Sequence, residues 1–332
     1  MIKIGFISTG GMARIQATAF SRIRGCRICS GADPSQEARD AMARHVPGIK
    51  MFEDYHALLA DPKVDAVVVC PPTGLHKAIT IDAMKAGKPV LLEKPMARTA
   101  ADCRRMIEVS RQTGVLLMIA HCRRFDPIWG TWRKLLDAGR IGSPVLWRAV
   151  SASILRDWRL DDRMGGGPVL DASVHNFDYA NWIWGDPLSV MASGINLDPT
   201  VSAVDTASAV VHYPGGNQLL VSLTWVQRGS RMFDILGPKG AILQGTGPLE
   251  RPPGVSDRIS FYCLLNSRGK PRLFPGPKDN RTMYVRQARH FLDCIAGKTK
   301  CIAPGEEAIK AVAVAEAILK AAPKCQTRKV VW

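Results

Sequence analysis

The stretch IKIGFISTGGMARI, residues 2–15, decides the fold at the start of the chain. Its first part is a short apolar, β-branched run, which is typical of a buried strand. TGG stops that run, and apolar residues at helical spacing follow in MARIQATAFSRI. We therefore predict a strand, a tight turn and a helix, whose first backbone N–H groups can hold a phosphate.

This turn departs from the dinucleotide-binding fingerprint G-x-G-x-x-G/A at one position. It reads Ser8-Thr9-Gly10-Gly11-Met12-Ala13, with serine in place of the first glycine. A glycine-rich turn alone is weak evidence, because many turns use glycine only for its backbone conformation. A second predicted strand, however, ends at Asp33, about 20 residues after the glycines, where an acidic residue can accept the ribose hydroxyls.

Strands and helices alternate as far as residue 120. VDAVVVCPP, KPVLLEKP and VLLMIAHC are apolar enough for parallel strands covered on both faces, and the stretches between them have helical patterns. We predict a Rossmann dinucleotide-binding domain over residues 1–120, an α/β unit with a doubly wound parallel sheet. Its ligand crevice should lie at the carboxyl ends of the strands.

From residue 121 onward, strands follow strands. We predict an α+β domain over residues 121–332 for substrate binding and oligomerisation, with a large, mainly antiparallel open sheet. Two domains suit a chain of 332 residues, which exceeds the size at which one core stops growing. Two amphipathic helices are expected near the end of the chain.

Composition excludes several function classes. The net charge of +16 comes from dispersed Lys and Arg without interleaved aromatic residues, so we expect no nucleic-acid partner. The sequence contains neither the ~20-residue apolar run of a membrane span nor the features of a secretion signal. The nine cysteines are irregularly spaced, and Cys26 and Cys29 form a single CxxC. We expect a cytoplasmic protein with reduced thiols and no metal site.

The stretch GGGPVLDASVHNFD, residues 165–178, contains the clearest candidates for acid–base chemistry. If residues 171–184 form one helix, Asp171, His175 and Asp178 share a face. An aspartate there can orient the imidazole and stabilise its charged form, as a general base requires. The alternative is an aspartate favoured by the helix dipole and a histidine hydrogen-bonded within the fold.

Lys94 is the other candidate, in a Glu-Lys-Pro sequence at a predicted strand end. A lysine at the nucleotide crevice can hydrogen-bond a substrate oxygen and stabilise developing alkoxide charge. The same three residues can equally form a charged turn, where the proline only ends the strand.

The ordered set IGFISTGGMA, ADP, DAVVVCPPTGLH, AMKAGKPVLLEKPMA, RRFDPIW, GRIGSPV, DWR, GGGPVLDASVHNFDYANWIWG and GPKGAI resembles the Gfo/Idh/MocA oxidoreductase family over nearly the whole chain. The resemblance implies a catalytic trio of Lys94, Asp171 and His175. It places cofactor contacts at Ser8, Gly10, Gly11, Met12, Asp33, Cys70, Pro72, Thr73, His76, Glu93, Lys94, Trp158 and Arg159. Substrate contacts are expected at Arg124, Asp178 and Tyr284. Three positions depart from the family pattern: Ser8, Thr73 and Ser173.

The implied activity is hydride transfer between a sugar, inositol or related polyol and NAD. Asp33 favours NAD over NADP because its charge repels a 2′-phosphate, although Arg39 can temper that preference. Either His175 or Lys94 is the base. The alternatives are a keto-sugar reductase, a dihydrodiol dehydrogenase, or a non-catalytic nucleotide sensor or repressor on the same fold. A homodimer or homotetramer through the second sheet is expected.

Overall fold

The computed structural model describes residues 1–244, 261–275, 279 and 281–332. The chain folds into two compact units. The first contains Met1–Phe125 and Arg281–Ile309, and the second contains Asp126–Asn280 and Lys310–Trp332. The segment Arg281–Ile309 therefore groups with the first unit, whereas the sequence-based division at residue 120 assigns it to the second domain.

The first unit begins with strands and helices in strict alternation. Their bounds are β1 Ile2–Ile7, α1 Gly11–Ser21, β2 Cys26–Ala32, α2 Gln36–His45, β3 Lys50–Phe52, α3 Tyr55–Ala60, β4 Ala66–Val69, α4 His76–Lys85, β5 Val90–Leu92, α5 Ala100–Thr113 and β6 Leu117–Ile119.

The remaining elements are mostly strands. They are α6 Pro127–Asp137, β7 Leu146–Ala152, α7 Gly167–Asp171, α8 Val174–Trp184, β8 Ser189–Ile195, β9 Thr206–His212, β10 Gln218–Thr224, β11 Arg231–Gly237, β12 Gly240–Gln244, β13 Phe261–Asn266, β14 Pro271–Pro275, α9 Thr282–Ile295, α10 Gly305–Ala321 and β15 Thr327–Lys329. Short 3-10 turns cover Thr73–Leu75, Cys122–Phe125, Trp158–Leu160, Pro214–Gly216 and Ala322–Lys324.

The sheet of the first unit is wholly parallel, in the order β3-β2-β1-β4-β5-β6. This is the doubly wound order of the Rossmann fold, and it confirms the prediction. Strands β4 and β5 are buried along their whole length, because helices cover both faces of the sheet. The strand order reverses between β1 and β4, so a ligand crevice is expected where those two strands end.

Helix α9 belongs to the core of the first unit although it lies far along the chain. Phe291 packs edge-on against Phe20 of α1, with ring centroids 6.5 Å apart. Phe20 in turn packs against Phe6 of β1 at 6.0 Å. All three side chains are buried, so α9 covers the outer face of α1.

The second unit contains a nine-stranded sheet in the order β14-β13-β12-β11-β7-β10-β9-β8-β15, counted over the described residues. Only β7 and β10 pair in parallel, which confirms the mainly antiparallel prediction. An aromatic cluster fills its core. The ring centroid of Trp129 in α6 is 4.7 Å from that of Tyr179 in α8 and 5.5 Å from that of Trp147 in β7.

The prediction of one continuous helix over residues 171–184 is wrong. Asp171 ends α7, and α8 begins at Val174. The N–H groups of Ala172 and Ser173 both bond to the carbonyl of Pro168, at 3.0 and 3.1 Å, and this sharing ends the α7 ladder. Asp171 and His175 therefore lie on consecutive helices rather than one turn apart on the same helix.

No helix in the described part of the chain is long and apolar enough to cross a membrane. All nine cysteines are free thiols. In the CxxC, the Cys26 thiol donates to the carbonyl of Phe20 and the Cys29 thiol to that of Ile4, so the two side chains have different surroundings.

Candidate functional site

The turn after β1 is shaped for close approach by a ligand. Ser8, at the first glycine position of the fingerprint, has φ = +63°, the left-handed conformation that favours glycine. A Cβ atom on Gly10 or Gly11 would meet no atom within 4 Å, so open space lies beside both residues. Gly10 is the N-cap of α1 and makes no side-chain capping bond. This combination suits a pyrophosphate at the helix N-terminus.

Asp33 stands at the end of β2 and is fixed by the neighbouring turns. Its Oδ2 accepts from the Thr9 N–H at 2.7 Å, and its Oδ1 accepts from the Ser35 N–H at 2.9 Å. The side chain of Ser8 lies 3.4 Å from the same Oδ2. Each carboxylate oxygen can accept more than one hydrogen bond, so capacity remains for ribose hydroxyls.

A cavity of about 570 Å³ opens in the first unit where β1, β2 and β4 end. Three predicted cofactor residues line it, namely Ser8, Asp33 and Pro72. Its wall is mainly apolar and includes two residues that the sequence did not indicate, Tyr55 and Leu75. An apolar slot beside a fixed carboxylate fits an adenosine, with the ribose at Asp33.

Arg39 contacts the backbone at and just after Asp33. Its Nη1 donates to the carbonyls of Asp33 and Pro34 at 2.7 and 3.0 Å. Its Nη2 donates to the side chain of Gln36 at 2.5 Å. The guanidinium is thus held by neutral oxygens and is not paired with the Asp33 carboxylate in these contacts.

Glu93 and His76 organise the backbone around Lys94. Glu93 is 7% exposed; its Oε1 accepts from the side-chain amide of Gln16 at 2.6 Å, and its Oε2 accepts from the Lys94 N–H at 3.3 Å. The His76 ring is 2.7 Å from the carbonyl of Pro95 and 2.9 Å from that of Pro71. His76 therefore links the loop after β4 to the loop after β5. Through these hydrogen bonds, Glu93 and His76 position the backbone around Lys94.

Burial sets the protonation states in this region. It lowers the pKa of His76, and the nearby charge of Lys94 lowers it further, while carbonyl hydrogen bonds oppose the shift. Burial and the adjacent Glu93 both raise the pKa of Cys70. Burial likewise raises the pKa of Tyr284, so its phenol stays protonated at neutral pH.

Tyr284 and Arg124, two predicted substrate residues, both lie in the first unit. Tyr284 is on α9, hydrogen-bonded to Cys122 and within electrostatic range of Glu93. Arg124 is 6% exposed and donates to the carbonyl of Ile302. Met12 and Thr73 flank the turns after β1 and β4, and Thr73 is 2% exposed.

Two of the three glycines before Asp171, Gly165 and Gly167, are required by close backbone packing in the second unit. A Cβ on Gly165 would lie 2.2 Å from the Cα of Arg159, and one on Gly167 would lie 2.4 Å from the Val204 carbonyl oxygen. Gly166 and Gly167 also have φ of +85° and +76°. The glycines therefore allow α7 to start directly against the turn that carries Trp158 and Arg159.

That packing joins Asp171 to Arg159. The Arg159 Nε is 3.7 Å from an Asp171 carboxylate oxygen, and its Nη1 is 2.5 Å from the carboxylate of Asp157. The guanidinium also lies 5.0 Å from the ring of Trp158. The structure thus brings Asp171, predicted to be catalytic, together with Trp158 and Arg159, predicted to contact the cofactor.

His175 and Asp178 occupy the first turns of α8. His175 is partly exposed, whereas Asp178 is 1% exposed and within electrostatic range of the buried Tyr213 phenol. The Tyr213 hydroxyl donates to Asn181 at 2.8 Å. Lys94 belongs to the first unit, and Asp171, His175 and Asp178 belong to the second.

Two family models match the chain. The oxidoreductase family with an NAD-binding Rossmann fold, GFO_IDH_MocA, matches residues 2–121, and the GFO/IDH/MocA C-terminal domain matches residues 129–243. A myo-inositol 2-dehydrogenase of Thermotoga maritima is 31% identical over 248 residues, covering 73% of this chain and 74% of that protein. The chain belongs to the GFO/IDH/MocA family. These matches confirm the family membership that the sequence motifs predicted.

Other GFO/IDH/MocA proteins are similar over the full length. A 1,5-anhydro-D-fructose reductase of Ensifer adhaerens is 28% identical over 338 aligned residues, 99% of each chain. The crystal structure of a probable dehydrogenase from Thermotoga maritima has a TM-score of 0.79 and 26% identity, covering 99% of both chains. The similarity therefore includes both units of this GFO/IDH/MocA protein.

Proposed function

We propose that this protein is an NAD-dependent oxidoreductase that acts on a hydroxyl-bearing carbon of a sugar, inositol or related polyol. The observation that carries the proposal is the cavity at the carboxyl ends of β1, β2 and β4, with the fixed carboxylate of Asp33 at its edge. Polyol and sugar substrates are supported by the relatives, which include an inositol dehydrogenase and a sugar reductase.

NAD is favoured over NADP. The Asp33 carboxylate is held by backbone N–H groups and keeps acceptor capacity for the ribose hydroxyls, and its charge repels a 2′-phosphate. Arg39 is the nearest candidate to oppose this preference, but its guanidinium is engaged with backbone carbonyls.

The bound nicotinamide supplies a hydride acceptor, and the chain supplies proton transfer and positioning. In the oxidation, His175 takes the hydroxyl proton, while Asp171 supports the imidazolium. Lys94 donates a hydrogen bond to the substrate oxygen and stabilises its developing negative charge. Lys94 is also the alternative base. Arg159 holds Asp171 in place, and the buried Asp178 supports α8 from within.

Reduction of a keto-sugar is the second candidate. It uses the same residues in reverse, with His175 or Lys94 returning the proton to the carbonyl oxygen. It is favoured by the full-length similarity to a 1,5-anhydro-D-fructose reductase. An assay in both directions separates the two candidates.

The test is the absorbance of reduced nicotinamide with purified protein, NAD or NADP, and a panel of inositols, aldoses and acidic sugars. Matched reductions with keto-sugars use NADH. Lys94→Ala and His175→Ala should abolish turnover while NADH still binds, as measured by calorimetry. The exposed Lys85 and His45 provide control substitutions, Lys85→Ala and His45→Ala, which should leave turnover unchanged. Cofactor binding without turnover of any substrate would favour the sensor alternative instead.

We further propose a cytoplasmic homodimer or homotetramer that associates through the second sheet. One face of β8 is open, with Met191 51% and Ile195 57% exposed. Ser208 of the neighbouring β9 is exposed on the same surface. A partner subunit would cover these side chains. The nine free cysteines suit a reducing compartment.

A further inference from the structure

Three side chains that can bind a metal ion, one histidine and two cysteines, meet in the first unit, and none of them has a role in the proposed reaction. His290 and Cys294 lie one turn apart on α9, and Cys301 follows the helix. The imidazole nitrogen and the two sulfurs lie within 4.8 Å of one another. The Nε2 of His290 is 3.4 Å from the Cys294 sulfur, and the Cys301 thiol is hydrogen-bonded to that sulfur.

This spacing fits a tetrahedral metal ion. Zinc binds sulfur at about 2.3 Å and nitrogen at about 2.0–2.1 Å, so tetrahedral angles place ligand sulfur and nitrogen atoms about 3.5 Å apart. The corresponding sulfur–sulfur separation is about 3.8 Å. The 3.4 Å between His290 and Cys294 is close to the first value, so these two ligands need little rearrangement.

The imidazole is already in the tautomer that a metal requires. The N–H of Ile302 donates to Nε2 of His290 at 3.1 Å, so Nε2 is the unprotonated nitrogen and carries the lone pair. A metal would replace this hydrogen bond by a coordinate bond. The ring also packs 5.3 Å from Phe125, which restricts its orientation.

The thiols require a metal to deprotonate them at neutral pH. Burial raises the pKa of Cys301 to about 12 and also raises the pKa of Cys294. Two groups favour the Cys301 thiolate once it forms, namely the Ala303 backbone, which hydrogen-bonds the sulfur, and the nearby charge of Arg124. Metal binding should therefore release about two protons.

We propose that His290, Cys294 and Cys301 form a zinc site, with water in the fourth position. A nitrogen and two thiolates select zinc over magnesium or calcium. The site would tie α9 to the segment after it, where the Ala303 carbonyl accepts from the Ile119 N–H at 2.9 Å. The sequence leads us to expect no metal site, because its single CxxC has no second pair; the signal for this site is the H-x3-C-x6-C spacing of residues 290–301.

The test uses the full-length chain, fully reduced, with Co²⁺ as a spectroscopic probe and Zn²⁺ as competitor. We expect one equivalent of Co²⁺ with the intense visible bands of a tetrahedral site, displacement by Zn²⁺, and release of about two protons per metal. Substituting both cysteines, Cys294→Ser with Cys301→Ser, should abolish the bands. Cys325→Ser, at an exposed cysteine, is the matched control and should retain them.

A second measurement needs no variant. One equivalent of Zn²⁺ should protect Cys294 and Cys301 from alkylation, but leave the exposed Cys325 reactive, as mapped by mass spectrometry. Weak octahedral bands, unchanged binding in the double variant, or equal labelling of all three cysteines with and without Zn²⁺ would overturn the site.

Discussion

At the residue scale, Ser8 differs from the motif but has the backbone conformation that the motif requires. The fingerprint expects glycine at this position because the turn needs a left-handed residue. Ser8 adopts that conformation, with φ = +63°, and its hydroxyl lies near Asp33. The substitution therefore keeps the turn and adds a polar contact to the residue proposed to select the cofactor.

Asp33→Asn is the sharpest test of cofactor choice. The amide keeps the volume of the carboxylate and removes the charge that repels a 2′-phosphate. We expect the ratio of kcat/KM for NAD to that for NADP to fall about tenfold or more, which corresponds to ~1.4 kcal/mol. Steady-state kinetics with both cofactors measure it. Arg44→Ala, at an exposed residue of α2, serves as the control and should leave the ratio unchanged. An unchanged ratio in Asp33→Asn would contradict the assignment.

Gly165→Ala should destabilise the second unit. The new Cβ would lie 2.2 Å from the Cα of Arg159, so backbone must move, at a cost of about 1–3 kcal/mol or more. The control is Gly130→Ala inside α6, where a Cβ meets no atom within 4 Å and alanine should add about 0.5–1 kcal/mol. Thermal melts should shift in opposite directions. Equal shifts would show that close packing at Gly165 is not the cause.

Sequence reasoning identified the site residues whose position follows from strand order. Ser8, Asp33 and Pro72 each follow a parallel strand, and the structure gathers them around one cavity. Tyr55 and Leu75 line the same cavity, but Tyr55 begins α3 and Leu75 lies on the 3-10 turn after β4, and the positions of both depend on tertiary packing. Leu75 had one sequence signal, since an apolar residue in a polar turn after PP suggests an exposed apolar surface, and it is 44% exposed.

At the element scale, five of the six strands of the first sheet were predictable, most clearly β4, β5 and β6, because burial on both faces makes these three continuous apolar runs. Strands β3, β13, β14 and β15 were not predicted from the sequence. Strand β3 is KMF, a short run that begins with an exposed lysine and is nowhere fully buried, and β14 is PRLFP, whose prolines argue against a strand. The break between α7 and α8 has no proline or glycine to mark it, because shared bonding to Pro168 produces it.

Helix α9 should be indispensable to the first unit. It covers α1 through the Phe20–Phe291 contact, so a fragment of residues 1–125 would expose Phe20. We expect that fragment to bind a hydrophobic dye and to melt without a cooperative transition. The control joins 1–125 to 281–309 through a flexible linker, and this should restore the transition. A cooperative melt of 1–125 alone would contradict the role of α9.

At the scale of the whole molecule, the open face of the second sheet is proposed to be the subunit interface. Met191→Lys would place a charge on that face and should raise the monomer fraction in light scattering. Leu188→Lys is the control. Leu188 is equally exposed, at 51%, but it lies just before β8 and is an odd number of residues from Met191, so the alternation of side chains along a strand does not place it on the same face. Monomeric wild-type protein, or equal dissociation in both variants, would contradict the interface.

The discontinuous first unit also has a consequence during translation. Its early part ends at Phe125, but its last helix comes from residues 282–295. At typical elongation rates, α9 leaves the ribosome roughly 10–30 s after residue 125 does, so the Rossmann sheet is without this helix for that time. Over that interval, Phe20 and its neighbours are uncovered, so nascent chains of this length present a binding surface for chaperones. Completion of the nucleotide-binding unit is therefore tied to near-complete synthesis of the polypeptide.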